Sequence, residues 1–166
     1  PVISILIGGN HGRYKLTSNI INHMIIETLN KIKQGSILIS TSRRTPDNII
    51  KLIDNWTKKS KIFKTTFHPK YNNRKNPIEE MISYADEFVV TGDSVSMVSQ
   101  LCQYKKPVRI IFNKRFCATK HMKFCKKLID DGYAYPFESL LEKCDKIKTL
   151  KTTKIISKKI LSIIKQ

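Results

Sequence analysis

Three short stretches hold the residues best suited to chemistry. The first is GGNHG, residues 8–12, directly after the apolar run Val2–Ile7. Glycines at a strand end let backbone N–H groups approach a phosphate closely, although a tight turn would use the same residues. The spacing is neither GxGxxG nor a P-loop, since no Gly-Lys-Ser/Thr follows. The second is STSRRTP, residues 40–46. The chain carries 25 lysines and 6 arginines, yet Arg43 and Arg44 stand together here. A guanidinium fork holds phosphate or carboxylate through two parallel bonds, which lysine cannot do. Ser42 and Thr45 add hydroxyls, and Asp47 or Glu80 could instead pair with an arginine. The third is TGDSVSMVSQ, residues 91–100, where Asp93 or Ser94 can cap a helix and Ser94 and Ser96 sit at its start. Two such helix starts on neighbouring units suit a diphosphate.

The elements that must position these loops alternate. Val2–Ile7, Ser36–Thr41, Lys61–Thr66, Glu87–Thr91 and Val108–Phe112 read as strands, the apolar ones buried on both faces. Between them lie helices capped by Thr17 or Ser18, opened by Thr45-Pro46-Asp47 and by Pro77, and running over about 94–104 and 118–130. Five strand–helix units predict an α/β fold, a doubly wound, Rossmann-like parallel sheet of five to six strands. Ligands of such sheets bind beyond the carboxyl ends of the strands, where strand order reverses. All three stretches fall on that edge. Residues 1–136 form this domain, and 137–166 are expected to be a basic, helical extension.

The formal net charge of +18 invites a nucleic-acid reading. However, 25 isoleucines and abundant asparagine accompany the lysines, a codon-bias pattern, and arginine is scarce. Nucleic acid is not the expected partner; an anionic membrane surface fits smeared positive charge better. Cys102, Cys117, Cys125 and Cys144 show no CxxC spacing, and free thiols suit a reducing compartment. Cys117, His121 and Cys125 could share a helix face, but a half-buried face explains them and no metal is expected. No apolar run approaches the length of a membrane span. Pro1 opens directly onto a strand and reads as a cut or processed end, so no leader is expected, and the expected location is cytoplasmic, either free or peripheral at a membrane surface.

The runs LIGG (6–9), GSILISTSRRTP (35–46), NP (76–77), ADEFVVTGDSVSMVSQ (85–100) and KPV (106–108) resemble the plant mitochondrial-fission "elongated mitochondria" proteins and their bacterial relatives. That family is in turn similar to GT-B glycosyltransferases: the GGN loop looks like the GGS loop of the N-acetylglucosaminyltransferase that completes lipid II. The resemblance is to the carboxyl-terminal, donor-binding half. It implies that Gly8, Gly9 and Asn10 touch the diphosphate or sugar, that Ser94 and Ser96 present the helix start, and that position 100, usually Glu, meets a ribose hydroxyl through Gln100. With Ser42, Arg43, Arg44, Thr45, Asp93 and Met97, these form the expected contact set. Phe124-Cys125 and Tyr135-Pro136-Phe137 replace the pattern's Phe-His and Arg-Pro-Phe.

The resulting expectation is the donor half of a glycosyltransferase-like protein, holding a UDP-linked sugar as substrate and using no cofactor. It would be inactive in hexosyl or N-acetylhexosaminyl transfer without an amino-terminal acceptor domain. No catalytic residue is assigned; His11 is the nearest acid or base and reads as a solvated loop histidine. The alternative is a non-enzymatic adaptor on the same scaffold, because fold does not decide function.

Overall fold

The computed structural model describes residues 1–72 and 75–151. Strands β1 (Val2–Ile7), β2 (Ser36–Thr41), β3 (Phe63–Phe67), β4 (Glu87–Thr91), β5 (Val108–Ile111) and β6 (Tyr135–Pro136) alternate with helices. These are α1 (Ser18–Lys31), α2 (Asp47–Lys59), α3 (Ile78–Tyr84), α4 (Val95–Leu101) and α5 (Thr119–Asp130). The six strands form one sheet in the order β3-β2-β1-β4-β5-β6, every neighbouring pair parallel. The expected doubly wound α/β fold is therefore present.

The sequence pattern explains the layers. Along β1, Ile3, Ile5 and Ile7 enter one core cluster, with α1 and α2 over them. Leu6 faces the second cluster, shared with α4 and α5. Helix α1 buries Ile20, Ile21, Met24, Ile25 and Thr28, a spacing that keeps one stripe inward. The outer strand β3 lacks that apolar character. It pairs through Phe63 to Phe67, starting two residues later and ending one residue later than the expected Lys61–Thr66, and a register shift interrupts its ladder with β2. Pro136 is tolerated in β6 because that strand is an edge.

The described part of the expected helical extension is not an α-helix. After β6 the chain makes only a 3₁₀ turn, Phe137–Ser139, and residues 140–151 form no helix. Residues 152–166 lie outside the described residues. The cause is a buried charge. Arg109, on β5 and 1% exposed, pairs with Glu87 on β4. It also donates to Ser139 Oγ at 2.5 Å and to the Glu142 carbonyl at 2.9 Å, while its guanidinium lies over the Tyr135 ring. The Leu141 amide donates to Glu87 Oε2 on β4 and Leu150 N–H to the Cys102 carbonyl at the end of α4, so backbone groups a helix would use internally are taken up by other elements.

Candidate active site at the strand-order reversal

Strand order reverses between β1 and β4, which places the GGNHG and TGDS loops side by side. The loops bond to each other. Gly8 N–H donates to Thr91 Oγ1 at 2.7 Å, and Gly9 N–H to Asp93 Oδ2 at 2.8 Å. Asn10 N–H donates to the Arg44 carbonyl at 3.2 Å, and Asn10 Oδ1 accepts from Leu16 N–H. Thr45 donates to the Gly8 carbonyl at 2.5 Å. A Cβ on Gly8 would overlap the Asp93 carboxylate, and one on Gly9 the backbone of Arg44. These glycines are needed for close approach of three loops, and their amides have partners within the chain.

The helix starts differ from the sequence reading in detail. No side chain caps α2: Pro46 precedes it, and the Thr45 hydroxyl is committed to Gly8. Ser94 does cap α4, its Oγ accepting from Met97 N–H at 3.5 Å. Asp93 instead turns beneath the glycine loop and is 1% exposed. Burial pushes its carboxyl above the usual aspartate range, only partly offset by hydrogen bonds and by nearby Arg44. Its Oδ1 and His121 Nδ1 are the buried side-chain atoms without a hydrogen-bond partner among the described residues.

Beside this junction lies a cavity of about 790 Å³ over the carboxyl ends of β1, β2 and β3. Ser42, Arg43, Met97 and Gln100, all expected site residues, line it. Leu6, Phe67, Ile78 and Met97 give it an apolar floor, and Lys70, Asn72 and Asn76 join its polar wall. Asp47, at the start of α2, accepts from Lys70 and from Tyr71 OH, pinning the 68–71 loop to the rim. Those bonds hold the Asp47 carboxyl below its ordinary range. Asp47 is therefore not an arginine partner, and neither Arg43 nor Arg44 has a carboxylate partner among the described residues.

The two arginines part company. Arg43 faces the cavity, whereas Arg44 leans to the glycine loop, its Nη1 3.4 Å from His11 Nδ1. The His11 ring lies 5.8 Å from that of His121, whose pKa is lowered chiefly by burial. Ser96 is exposed on α4 and does not line the cavity.

Sequence reasoning missed one arrangement. His68, just past β3, joins Asp54 on α2 (Nε2 to Oδ1, 3.1 Å) to Thr41 at the end of β2 (Nδ1 to Oγ1, 3.0 Å). A carboxylate can only accept, so Nε2 carries a proton, and in the neutral ring Thr41 then donates to Nδ1. The available signal was a histidine ending a strand within the HPKYNNRKN loop. Cys117 sits before α5 and Cys125 within it, with the Cys125 thiol against the Gly92 carbonyl. Among the described residues no three His, Cys, Asp or Glu side chains are grouped to hold a metal.

Comparison with known proteins gives the chain's relatives. The chain is 32% identical over 138 residues to the uncharacterized protein RP120 of Rickettsia prowazekii, covering 81% of this chain and 38% of that protein. It is 28% identical over 143 residues to the mitochondrial fission protein ELM1 of Arabidopsis thaliana, covering 82% of this chain and 31% of that protein. The chain thus spans less than half the length of either relative. No solved structure matches it. The family model described as Mitochondrial fission ELM1 matches residues 1–164, nearly the whole chain, and the chain belongs to that family.

Proposed function

We propose that this chain is the donor-binding half of a GT-B-type, glycosyltransferase-like protein and holds a nucleotide-diphosphate sugar, UDP-linked, at the carboxyl edge of its sheet. The observation that carries this is the cavity of about 790 Å³ beside the strand-order reversal. Its size falls within the range of small-molecule sites, and its mixed lining suits a ligand with a flat, stackable base and a charged diphosphate. In this reading Arg43 and Lys70 meet the diphosphate, Gln100 a ribose hydroxyl, and Phe67, Ile78 and Met97 the base. Cations aimed at the diphosphate stabilise charge as that leaving group departs.

An amino-terminal acceptor domain supplies the other wall of the cleft in this proposal, so the chain alone turns over no sugar. The +18 charge fits a cytoplasmic protein resting on an anionic membrane surface. Among the described residues no helix is long and apolar enough to cross a membrane. Thermal-shift screening against UDP-sugars tests the reading: a raised melting temperature that Arg43→Gln removes supports it.

A second reading, an adaptor acting in organelle fission, is favoured by the printed name of the family and of the Arabidopsis relative. It predicts no response to any nucleotide-sugar and capture of a division-machinery protein instead.

A further inference from the structure

A second concavity, of about 370 Å³, shares no lining residue with the first. It lies where the loop after β1 meets the β5–α5 connection, lined by Arg13, Tyr14, Lys114, Arg115, Cys117 and Thr119 among others, with no carboxylate. None of its three cations has an ion pair among the described residues. Arg13 lies over the Tyr14 ring, 5.2 Å from its centroid, and donates to the Tyr14 hydroxyl at 3.2 Å, which orients the guanidinium. Arg115 is held from both sides. Its amide donates to Asn113 Oδ1 at 2.9 Å, and the next two residues, Phe116 and Cys117, are buried.

Arginine placement strengthens the case. Arg74 lies outside the described residues; of the other five, Arg13, Arg43, Arg44 and Arg115 stand in loops at the carboxyl edge, and only Arg109 is spent inside the fold. Three exposed cations line one concavity that has no carboxylate, so an anion entering it meets charge of opposite sign only. Arginine forks favour planar or tetrahedral oxyanions over a diffuse cloud of counterions. The 12-residue helix α5 begins at the same place with no side-chain cap and no acidic residue in its first turn, so its field adds to the cationic one.

We propose that this concavity is a second anion subsite, taking a phosphate group through Arg13, Lys114 and Arg115. The phosphate belongs to a soluble phosphorylated compound or to a lipid headgroup; the recognising chemistry is the same. The proposal stands apart from the donor reading, because its residues do not line the donor cavity.

The test is calorimetric titration of the whole chain with inorganic pyrophosphate at low ionic strength, in an Arg43→Gln background that weakens binding at the first cavity. Lys114→Gln with Arg115→Gln, and separately Arg13→Gln, should each weaken binding by roughly tenfold or more. Lys58→Gln with Lys59→Gln removes the same charge at the far end of α2 and should change affinity by less than about twofold. Equal weakening by the local and remote pairs, or no binding by the Arg43→Gln parent, overturns the proposal. The substituted positions are exposed, so all variants should keep the parent's melting temperature; Arg13→Gln still decides if the double variant does not. Phosphatidylcholine vesicles with and without phosphatidic acid separate the sources. Phosphatidic-acid binding that pyrophosphate displaces assigns a headgroup, and pyrophosphate binding without vesicle binding assigns a soluble ligand. Failure of the donor reading would appear elsewhere, as absent UDP-sugar binding by the unsubstituted chain.

Discussion

Gly9 donates its backbone N–H to the buried Asp93 carboxylate at 2.8 Å, tying the loop after β1 to the loop after β4 across the strand-order reversal. The junction beside the candidate site is thus held together by hydrogen bonds within the chain. Asp93→Ala leaves the Gly9 N–H without its partner and should cost about 1–3 kcal/mol, read by urea denaturation.

The same carboxyl makes stability pH-dependent. Burial raises its folded-state pKa, so the protonated form is favoured in the folded chain. Its stabilising effect is full below the ordinary aspartate range and is lost as pH rises through the raised value. The melting temperature of the unsubstituted chain minus that of Asp93→Asn should fall as pH increases across that window. A flat difference would show that Asp93 is not desolvated.

Two glycines in one loop should behave differently. A methyl on Gly9 would meet the fixed backbone of Arg44 and Thr45, whereas one on Gly12 meets nothing. Gly12 has φ 55°, so alanine there pays only the left-handed cost of about 1–2 kcal/mol. Gly9→Ala should cost about 3 kcal/mol or more, since overpacking against backbone cannot be relieved by a rotamer change. Parallel denaturation curves decide the order.

Arg109 fastens residues 139–144 to the sheet. Arg109→Met strands the buried Glu87 and should cost about 3–5 kcal/mol, while opening the 140–151 segment to limited proteolysis. Burial holds Glu87 above its ordinary pKa even beside Arg109, so the charged pair is expensive. Adding Glu87→Leu to Arg109→Met should therefore recover part of the lost stability.

Thiol chemistry offers an independent check. Burial pushes Cys102, Cys117 and Cys125 up to about 12, and only Cys144 is partly exposed. In native buffer one thiol should react quickly with a disulfide reagent, and all four after denaturation.

The sequence made the sheet legible where strands are continuous apolar runs, as in Val2–Ile7, since such runs signal burial on both faces. It was weaker at β3, an edge strand whose Phe63-Lys64-Thr65-Thr66-Phe67 has no sustained apolar run. It misjudged residues 137–151 because what organises them, Arg109 with Glu87, is a contact between strands, hidden in an otherwise apolar Val108–Ile111. Ser42, Arg43, Met97 and Gln100 were legible as edge residues and do share a cavity. The partners of the Gly8 and Gly9 amides were not, because Thr91 and Asp93 lie 83 and 84 residues away. Nor could neighbours in sequence reveal that Arg43 and Arg44 serve different sides of the junction.

The central claim is that the cavity lined by Arg43 and Gln100 holds a nucleotide-diphosphate sugar. Calorimetric titration of the chain with a UDP-N-acetylhexosamine tests it most directly. Saturable binding is predicted, weakened roughly tenfold or more by Arg43→Gln and less than about threefold by Arg44→Gln, which lies outside the cavity. No binding, or equal losses from the two substitutions, would contradict it.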